Sequence, residues 1–350
     1  MTEPWDPAAF KARVDRELER FVTERTARLL DVDADLAPVA GQVAAAVAHG
    51  KRLRAAFCYW GWRAAGQPDS DALVRAAASM ELVHAAAVVH DDIIDDSPLR
   101  HGLPTAHVAL RRAPGGRRLP RAAARALAML VGDWLIALAG ELFADNGLPA
   151  AYLSRARPLW AALARDLVAG ACLEILRTGG PPDTAASLKI VRYKTAKYTV
   201  EQPLLIGGVL AGADRRTRAA LSDYGLPLGE AFQLRDDLLG LFGDAGRTGK
   251  ACLDDLRAHR PTALLAETWR AADPGERELL RGLLGRRGLG EPELAQVRAL
   301  MRRLAAPERV EHMIAGRVAT AVRALDDAAL PAPAAHALTG LARSATTRQH

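Results

Sequence analysis

Cysteine is scarce and badly placed for pairing. Only Cys58, Cys172 and Cys252 occur in 350 residues, far apart and with no Cys-x-x-Cys spacing. That excludes a disulfide framework and a thiolate zinc site, and reads as free thiols in a reducing compartment. Strand-like alternation of useful length is missing, and β-branched residues are sparse outside short runs, so no large sheet is expected. No run approaches the roughly 18 uninterrupted apolar residues that would flag a membrane span. A basic start followed by an apolar stretch is also missing, so no signal peptide is expected and the protein is read as cytoplasmic. There is no fixed internal repeat. The net charge of +6 comes mostly from scattered arginines, which argues against a nucleic-acid surface. One basic patch is concentrated, "RRAPGGRRLPR" at residues 111–121. It reads as a solvated loop, with a docking surface for a partner or an anionic membrane as the alternative.

What is present favours helix. Half of the chain is hydrophobic, and alanine, leucine and arginine dominate. Segments such as "DALVRAAASMELVHAAAVVHDDIIDD" and "LPRAAARALAMLVGDWLIALAGELFA" are long and apolar almost all round, separated by Gly/Pro turns. Pro98 is expected to stop the first, and Pro158 to kink the helix that follows the second. Helices of this kind bury themselves at the centre of a large bundle. The expectation is an all-α fold, one domain over residues 1–335, with a C-terminal tail over 336–350.

The informative stretch is "HDDIIDDSPLRHG", which starts at His90. Asp91, Asp92, Asp95 and Asp96 are expected on one helix, with Asp91 and Asp95 one turn apart on a shared face. Two unit charges about 4 Å apart repel by roughly 4 kcal/mol at an effective dielectric of 20. Negative charge at a helix C-terminus also opposes the macrodipole. A rim over a cavity, with cations present, resolves the conflict, and hard oxygen ligands suit Mg²⁺ with phosphate oxygens and water. "FQLRDDLLGLFGD" repeats the logic, with Asp236 and Asp237 after an apolar run and Gln233 one turn earlier. Here the i+4 position is Gly240, so the pair is incomplete, and Asp244 lies two turns on. Two such helices suggest several Mg²⁺ ions held between them and a polyanionic ligand. Candidate cations for that ligand are Lys51 and Arg54 in "GKRLR", Arg100, Lys194 beside Thr195 in "YKT", Lys250 in "RTGK", and Arg260. His84 lies on the apolar helix that leads to the acids, either as a core histidine or as a donor to a diphosphate.

Taken together, these segments resemble the trans-isoprenyl (polyprenyl) diphosphate synthase family, closest to its geranylgeranyl diphosphate synthase-like members, over about residues 45–265. "HDDIIDDSPLRHGLPTAH" is similar to that family's first aspartate-rich motif. "FQLRDDLLGLFGD…TGK…DDLR" is similar to the second. The resemblance implies a helical bundle around a deep apolar cavity, a homodimer, and three Mg²⁺ ions binding an allylic diphosphate. By position it makes Asp91, Asp95 and Asp236 the principal metal ligands, with Asp92 and Asp237 in support. Arg100, Lys194 and Lys250 would hold the allylic diphosphate, and Arg260 stands where lysine is usual. Lys51, Arg54 and His84 would bind isopentenyl diphosphate, while Thr195 and Gln233 would line the reacting carbons. The implied activity is Mg²⁺-dependent head-to-tail condensation of the two diphosphates, with only transient membrane contact for product release. A class I terpene cyclase, or a non-catalytic subunit of a heteromeric synthase, are the rival readings.

Some positions depart from the family pattern. His101 replaces the second arginine, which in the family helps bind isopentenyl diphosphate, and Gly240 replaces the last aspartate of the second motif. Ala55 stands where proline is common, and "AHRPT" replaces a Gly-Lys-x-Thr-like segment. Product length in the family is set one turn before the first motif. Here those residues are Ala86 and Ala87, with Val83 a turn deeper. None is aromatic, so the expectation is a product of C20 or longer, with geranylgeranyl diphosphate the central reading. The rival view is that the alanines serve close helix packing and that a bulky residue such as Trp134 closes the cavity.

Overall fold

The structure is a computed structural model that describes residues 5–112, 116, 118–243, 254–286 and 288–346. Contacts gather the chain into two compact units: Met1–Ala156 with Ile206–Gly212, and Arg157–Leu205 with Ala213–His350. Among the described residues the only strands form one two-residue hairpin, and helices make up the rest of the regular structure.

In the first unit the helices are α1 (Pro7–Leu30), α2 (Ala37–Val47), α3 (Leu53–Ala64), α4 (Asp71–Ile94), a single turn α5 (Ala106–Ala109) and α6 (Arg121–Ala144). Helix α4 starts where the Ser70 hydroxyl accepts from the Leu73 amide, a standard N-cap. It then buries Leu73, Ala76, Ala77, Met80 and Leu82 completely. Each leucine so buried contributes about 1.5–3 kcal/mol. Its alanines let α6 pack closely along its length. Both helices are long and apolar enough to cross a membrane by length and composition, but α4's apolar window is 72% buried inside the protein. That is the pattern of a core helix.

The second unit holds most of α7 (Ala150–Arg177), then α8 (Thr184–Ile190), a π-helix (Val191–Glu201) and α10 (Arg215–Phe242), while α9 (Gln202–Leu210) is shared between the units. It continues with α11 (Asp254–Arg257), α12 (Ala263–Ala271), α13 (Pro274–Leu283), α14 (Glu291–Arg303), α15 (Ala306–Asp326) and α16 (Ala332–Thr346). Pro158 lies inside a continuous α7, next to the division between the units. Helix α10 packs against the π-helix and α15. Residues from 336 onward, which the sequence marks as a tail, continue α16 as far as Thr346. Leu338, Ala342 and Ala345 there are buried, and the Leu338 carbonyl accepts from the buried Tyr224 hydroxyl at 2.7 Å.

Candidate active site

In the first unit the acids sit where α4 ends. The helix stops at Ile94, and Asp95 caps it, donating its amide to the Asp91 carbonyl at 2.9 Å. Asp91 and Asp95 thus stay one turn apart, both half-buried. Asp96 is a correction to the single-helix expectation. Its φ of 55° takes the chain out of the helix, and its exposed carboxylate accepts from Arg121 and Arg125 of α6. Asp96 is therefore a staple between α4 and α6, and a third partner, His107 of "PTAH", lies 3.6 Å away. Asp92 is buried, and Arg100 reaches it through Nε at 3.1 Å and through Nη2. Arg100 lies on a hairpin in which Leu99 pairs with Pro104 and Arg100 with Leu103. His101 (φ 52°) and Gly102 (φ 77°) make its turn. Histidine is among the side chains that tolerate the left-handed region better than most. The Thr105 hydroxyl ties the hairpin back to the Ser97 carbonyl at 2.7 Å.

A cluster of cations surrounds His84. Burial, followed by the charges of Arg54, Arg100, Arg52 and His101, pulls its proton affinity well below the usual histidine range, so the ring is neutral at pH 7. Arg54 is buried and Lys51 is exposed. The loop that presents them is held by Arg52, which the sequence reading passed over. Its φ is 55°, and its guanidinium donates to the Val47 and His49 carbonyls and to Asp15, the last at 2.6 Å. The buried Glu81 carboxylate accepts from the Ala55 amide at 3.0 Å, satisfying an orphan donor at the start of α3 that proline would lack. Val83 and Ala86 are buried on α4, and Ala87 and Trp134 half-buried.

In the second unit the chemistry gathers around the π-helix. Gly170 of α7 and Gly229 of α10 let it approach closely. A Cβ on Gly170 would lie 2.2 Å from the Lys194 amide nitrogen, and one on Gly229 would lie 2.6 Å from Ala196 Cα. So seated, the Thr195 hydroxyl donates to Gln233 Oε1 at 2.8 Å, and Gln233 Nε2 donates to Asp237 Oδ1 at 2.8 Å. The Lys194 ammonium meets Glu174 of α7. Asp236 is half-buried; Asp237 is buried. Burial, reinforced by the charges of Asp255, Asp236 and Glu174, pushes the Asp237 carboxyl up to about 8 against the opposing hydrogen bond from Gln233. Arg260 Nη1 donates to Asp255 Oδ1 at 3.2 Å. Lys250 and Asp244 lie outside the described residues, as does part of the basic 111–121 loop.

Two acids here were not singled out from the sequence. Glu174 sits in an apolar helix, one turn after Gly170, and only the fold brings it to Lys194. Asp255 lies within the quoted "DDLR", but nothing local sets it apart from Asp254. Among the described residues no three His, Cys, Asp or Glu groups converge closely enough to hold an ion unaided. The oxygen-only donor set still fits Mg²⁺, which takes one or two carboxylates and fills its remaining positions with phosphate oxygens and water. The raised Asp237 carboxyl, pressed by three other acids, marks a place where a cation would relieve the charge.

The sequence model of the polyprenyl synthetase family matches residues 37–301. The chain belongs to that family. It is a prenyltransferase with the all-α isoprenoid synthase fold. Among solved structures, geranylgeranyl pyrophosphate synthase from Corynebacterium glutamicum, complexed with isoprenyl diphosphate and magnesium, superposes with a TM-score of 0.92 at 31% identity. That match covers 99% of this chain and 100% of the other. The (2E,6E)-farnesyl diphosphate synthase of Mycobacterium tuberculosis is 33% identical over 280 residues, 76% of this chain and 72% of that one. Octaprenyl diphosphate synthase of Escherichia coli is 29% identical over 302 residues, 85% of this chain and 86% of that one. This polyprenyl synthetase is thus similar to makers of short and of long products, and its reaction type is shared with all of them.

Proposed function

We propose that this enzyme condenses isopentenyl diphosphate with an allylic diphosphate to give an all-trans product of C20 or longer, with geranylgeranyl diphosphate the central assignment. The observation that carries the length is the small, non-aromatic surface of α4 at Val83, Ala86 and Ala87, one to two turns before Asp91. None of these three side chains is aromatic, so α4 itself presents nothing bulky to a growing chain at that level.

Asp91, Asp95 and Asp236 would be the principal ligands of three Mg²⁺ ions, which when bound would supply the charge neutralisation that makes diphosphate a competent leaving group. Asp92 and Asp237 support those ligands. Arg100, Lys194 and Lys250 bind the allylic diphosphate, and Arg260 steadies the acids beside it. Lys51, Arg54 and the neutral His84 bind isopentenyl diphosphate, with His101 at the turn beside them. Thr195 and Gln233 line the reacting carbons. As the allylic C1–O bond breaks, positive charge grows on C1 and negative charge on the departing diphosphate, where fixed cations are most effective. The isopentenyl C4 attacks C1 to form the new C–C bond, and the C2 proton leaves to a diphosphate oxygen. No separate basic side chain is required.

We also propose a homodimer in the cytoplasm. On α6, Met129, Leu130 and Ile136 are about half exposed, which makes an apolar face on an apolar helix. A second copy of the chain is the occupant that suits such a face. Incubation with isopentenyl diphosphate, Mg²⁺ and each of the C5, C10 and C15 allylic diphosphates, with products sized by mass spectrometry, tests the activity. Products of C20 and above are expected. Products ending at C15 would overturn the length assignment, and a cyclic hydrocarbon from one allylic diphosphate alone would overturn the reaction. Sedimentation should give a mass of two chains, and Leu130→Glu should shift it to one.

A further inference from the structure

Gly240 ends the second acidic motif where the first has Asp95, and its backbone offers no reason for a glycine. It lies inside the last turn of α10 and does not adopt a positive φ. Glycine at an ordinary helical position costs roughly 1 kcal/mol relative to alanine. What the missing side chain does provide is room. A Cβ built on Gly240 would lie 3.2 Å from Asp255 Oδ2. That oxygen belongs to a held carboxylate, because Arg260 Nη1 donates to Asp255 Oδ1 at 3.2 Å. The charge on Asp255 also acts on Asp237, one of the two adjacent acids of the motif.

We propose that Asp255 supplies, from the start of α11, the acid that α10 lacks at position 240, and that Gly240 is the space made for it. Arg260 orients that carboxylate by holding one oxygen, which leaves Oδ2 directed at the end of α10. The inference rests on the Mg²⁺–diphosphate reading of this site. Asp255 acts as a positioning residue that completes the acidic set beside Asp236 and Asp237.

The test is Mn²⁺ binding, by calorimetry or electron paramagnetic resonance, to the full chain in the presence of inorganic diphosphate. Asp255→Asn keeps the shape and the Arg260 hydrogen bond, and should weaken Mn²⁺ binding by about tenfold, the lower end for a supporting group around a metal. Asp255→Ala should do the same. Gly240→Asp added to Asp255→Ala should restore affinity to near the parent value, because the carboxylate returns to the vacated place from the other helix. Gly240→Asp alone should give no gain, since its Cβ meets the held Asp255. Parent-like affinity in Asp255→Asn, or no recovery in the folded double variant, overturns the proposal. Asp236→Asn separates the two levels. If it also leaves Mn²⁺ binding unchanged, the metal reading of the site fails. If it abolishes binding while Asp255→Asn does not weaken it, only the role of Asp255 fails.

Discussion

The ends of α4 and α10 carry similar sequences and treat their charges in opposite ways. At the end of α4 the protein supplies cations of its own: Arg100 reaches the buried Asp92, and Arg121 and Arg125 meet Asp96. At the end of α10 the buried Asp237 is surrounded by further acids, and its hydrogen-bond partner is the neutral Gln233. The nearby Lys194 is engaged by Glu174. The lesson is that a repeated motif need not be a repeated environment. Among the described residues, Asp92 and Asp96 of the first cluster meet arginines, whereas Asp237 of the second meets a neutral amide and lies among further acids.

The largest effects should come from the acids that both ends share. Asp91→Ala and Asp236→Ala should each lower kcat by about 10²–10³-fold, comparable to removing one preorganised stabilising group. Steady-state assays at saturating Mg²⁺ check this, and equal losses at both ends would show that the environment, not the motif, is what differs between them. Ala86→Phe probes α4 apart from its charges. The expected outcome is a shorter product by mass spectrometry with little change in Tm. An unchanged product with a Tm loss would mean that Phe merely overpacks a core position, at about 1–3 kcal/mol.

A pH series sharpens the contrast further. The folded Asp237 carboxyl lies near 8, above its ordinary carboxylate value, so the folded state binds the extra proton. Its contribution to stability is present in acid and is lost as pH rises through about 8. Metal-free protein should therefore lose Tm from mildly acidic pH to about 8, and Asp237→Asn should flatten that slope. No matching slope should be traceable to Asp96, which Arg121 holds below the usual carboxylate range. The smallest effect is expected at the hairpin, where His101→Arg should lower KM for isopentenyl diphosphate about threefold through a charge-assisted contact. An unchanged KM would place that turn outside substrate reach.

Much of this was legible in the sequence because it is local. The all-α class, α4 with its acidic end, the "RDDLLG" helix and the Lys194–Thr195 segment follow from apolar periodicity, capping and turn residues. What was not legible depends on residues distant in sequence. Asp96 looks like its three neighbours until a left-handed turn sends it to α6. Arg52 looks like any loop arginine until its guanidinium is seen to hold two carbonyls and Asp15. Glu174 and Asp255 acquire meaning only when α7 and α11 are placed beside the π-helix and α10. The segment through Lys194 forms wide π-helical turns, and its close seating depends on two glycines in other helices, Gly170 and Gly229.

Those wide turns have a consequence for how this gene can change. In an α-helix each added or deleted residue rotates everything beyond it by about 100°. A π-helix is an α-helix that has absorbed extra residues without breaking. Between Val191 and Glu201, Ala196, Tyr198, Thr199 and Val200 are buried, so substitutions there are constrained as well as those at Lys194 and Thr195. Deletion of a single codon would in addition rotate one side of the segment relative to the other and carry it away from its partners. Length as well as composition should therefore constrain this segment.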